Sequence, residues 1–278
     1  MKATITLILV ISQFVLFAKK TPISIDKAIK QGLISVDIKG KGGYSGNCAQ
    51  IKISNKHKDS IYVILEAGRK LNSLNNEEQD LLVTKEQIFK LKGMETKTVD
   101  AFGFCCQANN HAPVKDSKFN VGKMGDSALI ALAQFCNKNK FSTGDIQSSV
   151  WCLSDNHSVA GIPGNNEKLR KFVAGIKKEE IPWYQKEYEP SRGNQAFTNR
   201  ANKINGNITY TTLADGFMNI QLMDANGQLM QKFADKKMLE KGTYDYWFEL
   251  QVTNWPKGKY FIHIYSGEQL LSKKEFTI

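Results

Sequence analysis

Five cysteines carry the most distinctive chemistry of this chain. An exported protein oxidises those cysteines that lie close together in space, but an odd number cannot all pair within one chain. Cys105 and Cys106 are adjacent, and we expect them to have different fates because neighbouring cysteines rarely satisfy the geometry of a disulfide. The remaining sulfur then implies an intermolecular bridge, a free thiol or a special bond. The five are Cys48, Cys105, Cys106, Cys136 and Cys152.

Three of these cysteines are candidates for disulfide bridges. Cys136 and Cys152 fall on opposite arms of a predicted helical hairpin. Cys48 could reach one of the adjacent pair across the predicted sheet. The connectivity stays open at this point, because spacing alone does not decide which sulfurs meet.

A rival arrangement would use a cysteine as nucleophile and a histidine as base. Cys152 is followed by Asp155, Asn156 and His157, and His111 follows the adjacent cysteines. Catalysis by cysteine needs a base that a third group orients in space, and closeness in sequence does not supply that geometry. The sequence therefore favours a protein that is not an enzyme. No Cys-x-x-Cys or paired-histidine spacing occurs, so we predict no metal site and no cofactor.

The first residues predict export. Lys2 precedes an apolar run over 5–17, and Ala18 stands where a signal peptidase requires a small residue. This order is typical of a cleavable secretory signal peptide, here 1–18. No later segment is a run of about eighteen apolar residues, so no membrane span is expected after cleavage. We therefore predict a protein that is secreted or held at the outer cell surface.

The charge balance bears on the partners. Thirty-eight Lys and Arg against 27 Asp and Glu give a formal charge of +11. The lysines are spread along the chain without interleaved aromatics or a named module, so no nucleic-acid partner is expected. Long-range attraction favours acidic partners. A surface protein or a glycan is the expected ligand.

The hydrophobic periodicity predicts a mainly β fold with a helical hairpin. Ile34, Val36 and Ile38 alternate with polar residues, and further strands at 51–53 and 61–65 flank a turn, which predicts a β-hairpin. Several short strands at this spacing are typical of a sandwich or barrel. We assign 19–160 to a β-sandwich that carries two antiparallel helices.

The helical hairpin is predicted over 125–156. Apolar residues recur there at helical spacing, with Asp126 or Ser127 available as the first N-cap. Thr143 or Asp145 can cap the second helix. The tight turn between them makes the two helices antiparallel neighbours.

Two further segments complete the predicted organisation. Residues 161–205 are basic and contain scattered apolar positions, so we interpret them as a linker with one helix over 167–179. Strong alternation returns in 206–278, where Met218, Ile220 and Leu222 share one face of a strand. This predicts a small C-terminal β-sandwich.

Two short motifs resemble those of bacterial surface thioester domains. They are Phe-Cys-Cys-Gln, which contains Cys105, and Ile-Gln-Ser-Ser-Val-Trp, which contains Gln147. The resemblance implies that a cysteine at a strand end forms an intramolecular thioester with the Gln147 side chain. Cys105 matches best because it follows a phenylalanine, and Cys106 is the alternative. Trp151, one helical turn from Gln147, would shield the bond from water.

The C-terminal segment carries a second resemblance. The motifs are Asn-Ile-Gln-Leu-Met-Asp-Ala-Asn-Gly-Gln-Leu over 219–229 and Trp-Pro-Lys-Gly-Lys-Tyr-Phe over 255–261. They resemble the C-terminal sorting domains of the type IX secretion system of Bacteroidetes. This resemblance implies a small β-sandwich that the secretion machinery recognises at the outer membrane.

These features together predict an exported cell-surface protein for adhesion or binding. The resemblance around Cys105 and Gln147 implies capture of an amine through an internal thioester. One alternative is a disulfide-stabilised protein that binds its ligand noncovalently. The other is a secreted enzyme that depends on a cysteine.

Overall fold

The computed structural model describes residues 21–278 apart from positions 192 and 194. The predicted signal peptide, 1–18, lies outside this described part. Within the described residues, none of the helices combines the length and the apolar character needed to cross a membrane. The prediction of a mainly β fold with a helical hairpin and a C-terminal β-sandwich is confirmed.

The N-terminal strands form a closed six-stranded barrel with a small sheet packed against it. The barrel order is β2-β3-β8-β6-β5-β9, and the small sheet has the order β1-β4-β7. Ile38 pairs with Ile51 of β3 on one side and with Phe119 of β9 on the other, so β9 closes the barrel. The elements are β1 (Ile23–Ser24), α1 (Ile25–Lys30), β2 (Ile34–Lys41), β3 (Ser45–Asn55), β4 (Ile61–Leu65), β5 (Arg69–Ser73), β6 (Leu81–Val83), β7 (Gln87–Leu91), β8 (Thr96–Cys105) and β9 (Lys115–Met124).

One local prediction in this unit is wrong. The strands around 51–53 and 61–65 exist, but they do not form a hairpin with each other. β3 pairs with β2 and β8 inside the barrel, whereas β4 pairs with β1 and β7 in the small sheet. The turn between them therefore carries the chain from one sheet to the other. The first hydrophobic core fills the barrel and the space between the two sheets.

Three helices cover one side of the barrel. They are α2 (Ser127–Lys138), α3 (Thr143–Ser154) and α4 (Glu167–Lys177). Asp126 caps α2, as predicted, by accepting the Leu129 N–H. Ser142 caps α3 by accepting the Asp145 N–H, one residue before the predicted Thr143. Leu132, Val150 and Val173 from the three helices join Leu82 and Phe104 of the barrel in a second core.

The segment 161–205 is firmly packed. Its predicted helix is α4, and it also contains β10 (Tyr184–Tyr188), which sequence periodicity does not signal. One guanidinium nitrogen of Arg170 on α4 donates to the carbonyls of Pro182 and Tyr184 at 2.7 and 2.8 Å. This buried contact fixes the path of the chain from the helices into β10.

The C-terminal unit is a seven-stranded sandwich that includes β10. One sheet has the order β10-β11-β14 and the other β13-β12-β15-β16. Ile220, Ile262 and Phe276 are fully buried between the sheets in a third core. The strands are β11 (Ala201–Thr212), β12 (Gly216–Met223), β13 (Leu229–Leu239), β14 (Gly242–Gln251), β15 (Lys259–Ser266) and β16 (Gln269–Thr277).

The cap of α3 gives a testable expectation. Ser142→Ala removes the acceptor for the Asp145 N–H, so we expect the free energy of unfolding to fall by about 1 kcal/mol. Urea denaturation measures the change. Ser148→Ala in the interior of the same helix is the control, because alanine favours helix and Ser148 caps neither end. An equal effect of the two substitutions would contradict the capping role.

Candidate functional site around Cys105 and Gln147

Cys105 is the last residue of β8, and its side chain points to the opposite face from those of its two neighbours, Phe104 and Cys106. Successive side chains of a strand point to opposite faces. Phe104 and Cys106 therefore enter the second core beneath the helices, whereas the Cys105 side chain enters the first core inside the barrel. All three residues are almost completely buried. The adjacent cysteines thus occupy different environments, with their thiols on opposite sides of the barrel wall.

Gln147 reaches Cys105 from the first half of α3. Its neighbours Ile146 and Val150 anchor the helix in the second core. The Gln147 Oε1 atom accepts the Cys105 N–H at 3.1 Å, and its Nε2 donates to the Cys105 carbonyl at 2.8 Å. Gln147 is only 2% exposed. The side-chain amide therefore pairs with the main chain of Cys105 as a neighbouring strand would, and it lies beside Cys105, not beside Cys106.

Four aromatic rings pack together around Trp151, one helical turn from Gln147, and we call them the aromatic cover: Tyr44, Trp151, His157 and Phe197. Trp151 is at the centre and is 6% exposed. Its ring centroid lies 6.0 Å from that of Tyr44, 5.2 Å from Phe197 and 6.5 Å from His157. Trp151 also belongs to the first core, which holds the Cys105 side chain.

Two residues of this region carry no signal in the sequence. Tyr44 follows Gly42 and Gly43, whose φ values of +88° and +86° favour glycine, and its carbonyl also accepts the Cys105 N–H at 3.0 Å. Gln79 is fully buried and its Oε1 accepts the Trp151 ring N–H at 3.4 Å. Only the tertiary structure brings either residue to the site.

Burial determines the protonation state of the thiols. It raises the pKa of Cys105 far above its ordinary value, and the nearby Cys48 and Cys106 add to the rise. Burial also raises the pKa of Cys48 to about 11, although its thiol donates to the Gly103 carbonyl at 3.4 Å. Both groups are therefore neutral thiols at pH 7. Cys105 is not a standing thiolate of the kind that solvent-facing cysteine enzymes use.

The predicted disulfide bridges are not formed in the structure. Cys48, Cys136 and Cys152 are free and buried, as are Cys105 and Cys106. Cys48 shares the first core with Cys105, and Cys136 and Cys152 share the second, so these pairings stay a prediction. Cys152 directs its thiol at the Ser158 carbonyl, 3.2 Å away, and not across the hairpin.

Cys152 and His157, the rival nucleophile and base, line one small pocket, but the Cys152 thiol donates to the Ser158 carbonyl and not to the imidazole. The His157 ring stacks on Phe197 with centroids 4.5 Å apart, and burial lowers its pKa. Burial raises the pKa of Cys152 to about 12. Asp155 accepts the Ala108 N–H at 2.9 Å and so fixes the loop.

The other candidate base is His111, and its main chain is paired with two distant segments. His111 lies in isolated bridges with Glu78 and Gln195. Across the described part of the chain, no cluster of three or more His, Cys, Asp or Glu side chains could hold a metal ion.

The C-terminal sandwich matches a known protein family. Residues 201–277, which comprise β11 to β16, match the family described as the secretion system C-terminal sorting domain. The protein is exported to the outer cell surface. The match spans only the C-terminal sandwich and confirms the second resemblance. No curated protein matches the chain.

The buried thiols give a pH dependence. Burial raises the pKa of Cys136 from 9.0 to about 12 in the folded chain. Above pH 9 the unfolded chain loses this proton while the folded chain keeps it, so the free energy of unfolding falls as pH rises towards 12. The slope from one such group approaches about 1.4 kcal/mol per pH unit. We expect Cys136→Ala to reduce the total slope by the contribution of this one group, because the other buried thiols keep theirs, and urea denaturation between about pH 8.5 and 10.5 measures the reduction.

The control for this measurement is Val173→Ala. It shortens a side chain of the same core without removing a titratable group. It should lower the stability equally at every pH. A slope in Cys136→Ala that is as steep as in the wild type would show that burial does not raise the pKa of this thiol.

Proposed function

We propose that the protein attaches covalently to ligands at the cell surface through a thioester between the Cys105 sulfur and the Gln147 side chain. The observation that supports it most strongly is the pair of hydrogen bonds, 3.1 and 2.8 Å long, between the Gln147 amide and the Cys105 main chain. They hold the electrophilic carbon of the amide beside the residue that carries the thiol. Such positioning is the main requirement for an intramolecular acyl transfer.

The first step forms the thioester. The Cys105 sulfur attacks the Gln147 Cδ atom, a carbon–sulfur bond forms and the Cδ–Nε2 bond breaks. The thiol proton leaves with the amide nitrogen as ammonia, so no oxidant or reductant is needed. Both organic groups are neutral before and after the step. A site that disfavours charge therefore suits the thioester better than it suits a thiolate.

The second step captures the ligand. A primary amine, such as a lysine side chain on a surface protein, attacks the Gln147 acyl carbon and the carbon–sulfur bond breaks. The amine proton passes to sulfur and regenerates the neutral Cys105 thiol. The product is an amide between the Gln147 side chain and the ligand.

The surroundings of Cys105 and Gln147 supply what such a bond requires. Water would hydrolyse an exposed thioester, and the aromatic cover excludes it. Tyr44 is the most accessible ring of the cover, with 41% of its surface exposed. An approaching amine would therefore reach the bond from the Tyr44 side. The sorting domain supports the same reading, because it brings the protein to the surface where external amines are found.

Peptide mapping of the secreted protein tests the thioester. We expect the protein to be lighter than its sequence by one ammonia and to take up methylamine at Gln147, with release of the Cys105 thiol. Cys105→Ala and Gln147→Ala should abolish both signals. Cys106→Ala is the matched control, because its side chain lies in the second core and that of Cys105 in the first, and it should retain both signals.

The opposite result would be equally clear. An intact Gln147 in a correctly folded secreted protein, with an alkylatable Cys105, would refute the covalent mechanism. Loss of the signals in Cys106→Ala but not in Cys105→Ala would show that Cys106, and not Cys105, forms the thioester.

The aromatic cover provides a second test. Trp151→Ala removes the central ring, so we expect water and methylamine to consume the thioester faster, by about tenfold or more, since exclusion of water is lost. Time-resolved mass spectrometry measures both rates. Trp247→Ala is the control, because Trp247 is a tryptophan that is 62% exposed on the C-terminal sandwich. Equal rates in the two variants would show that Trp151 does not protect the bond.

A further inference from the structure

A second glutamine, Gln79, also holds helix α3 through its side-chain amide. It belongs to the loop between β5 and β6 and is fully buried. Its Oε1 atom accepts the Trp151 ring N–H at 3.4 Å. Trp151 follows Gln147 by one helical turn, so two amide contacts fix successive turns of the same helix.

The orientation of the Gln79 amide follows from its other partner. Its Nε2 atom donates to the Asn110 carbonyl at 3.1 Å. A carbonyl oxygen only accepts and an indole N–H only donates, so the two contacts determine which end of the amide is nitrogen. The Gln79 main chain is held as well, because its N–H donates to the His111 carbonyl at 3.1 Å. The acceptor for Trp151 therefore has a fixed position.

The loop that carries Gln79 is joined to the end of β8. Leu81, two residues after Gln79, pairs with Cys105 in the barrel. Trp151 packs in the first core together with the Cys105 side chain. The contact at the ring N–H therefore ties the Trp151 ring to the same strand end that carries the thiol.

A buried indole needs an acceptor of this kind. Trp151 is almost completely buried, and a buried N–H without a partner carries the full cost of its desolvation. Without the Gln79 amide, the ring N–H would be satisfied by an entering water molecule or by rotation of the ring towards another acceptor. Either change would loosen the packing beside Cys105.

We propose that Gln79 is a positioning residue for the thioester: it holds the Trp151 ring and thereby limits the rate at which water hydrolyses the bond. This inference rests on the proposed function. In hydrolysis, the water oxygen joins the Gln147 acyl carbon, the carbon–sulfur bond breaks and a water proton passes to the Cys105 sulfur. The products are a carboxyl group at position 147 and a free thiol.

The rate of hydrolysis in the full secreted protein tests the inference. Gln79→Met keeps the length of the side chain and removes both polar ends. We expect its thioester to gain one water about three to ten times faster than that of the wild type, since one hydrogen bond of ordinary strength is lost. Time-resolved mass spectrometry measures the rate. Gln79→Asn is a milder second variant, which keeps an amide but is too short to reach both partners, and it should change the rate in the same direction.

Gln107→Met is the matched control. The Gln107 amide also joins this loop to the segment after β8, because its Oε1 accepts the Asp80 N–H at 2.7 Å and its Nε2 donates to the Asp80 carboxylate at 2.9 Å. It therefore supports the same loop through Asp80, whereas Gln79 accepts the indole N–H. Its thioester should be hydrolysed at the wild-type rate.

A double-mutant cycle shows whether Gln79 acts through Trp151. Trp151→Phe keeps an aromatic ring but removes the ring N–H, so we expect faster hydrolysis in this variant too. Gln79→Met should cause no further increase in the Trp151→Phe background, because the shared contact is already absent. A residue that only stabilised the loop would increase the rate by the same factor in both backgrounds.

Three results would overturn the inference alone. They are a wild-type rate in both Gln79 variants, an equal increase in Gln79→Met and Gln107→Met, and an undiminished effect of Gln79→Met in the Trp151→Phe background. In each case the wild type would still carry the thioester, so the covalent mechanism would stand. Absence of the bond from the wild type would instead refute the proposed function and, with it, the role of Gln79.

Discussion

The pair of hydrogen bonds between the Gln147 amide and the Cys105 main chain joins the helical hairpin to the barrel at one buried point. A buried amide is costly unless both its donor and its acceptor are satisfied. Here the main chain of Cys105 satisfies both. The position of α3 on the barrel is therefore tied to the end of β8, and the residue that carries the thiol is fixed beside the carboxamide.

The elements around this contact hold Gln147 in place and bury Cys105. The Ser142 cap and the second core hold α3 so that Gln147 points at β8, while Trp151, one turn further along, packs in the first core with the Cys105 side chain. Burial keeps the Cys105 thiol protonated, which disfavours chemistry through a free thiolate and suits a neutral acyl group. The sorting domain is a separate unit with its own core, and it brings this site to the cell surface without taking part in it.

Local periodicity was sufficient to predict the helical hairpin and several strands of the C-terminal sandwich, whereas Gln147 and Trp151 were indicated by the resemblance to thioester domains. It could not predict which sheet a strand would join, so β3 and β4 were wrongly expected to form a hairpin. Strand pairing depends on contacts distant in sequence. For the same reason, Tyr44 and Gln79 carried no local signal, and β10 was not predicted as a strand of the C-terminal sheet.

The central claim is that Cys105 and Gln147 are linked covalently in the mature protein. A crystal structure of the protein secreted by its native type of host tests this most directly, because it shows the sulfur and the acyl carbon themselves. The account predicts continuous electron density from the Cys105 sulfur to Gln147 Cδ and none for Nε2. Density for an intact amide, still paired with the Cys105 main chain and separate from the sulfur, would contradict it.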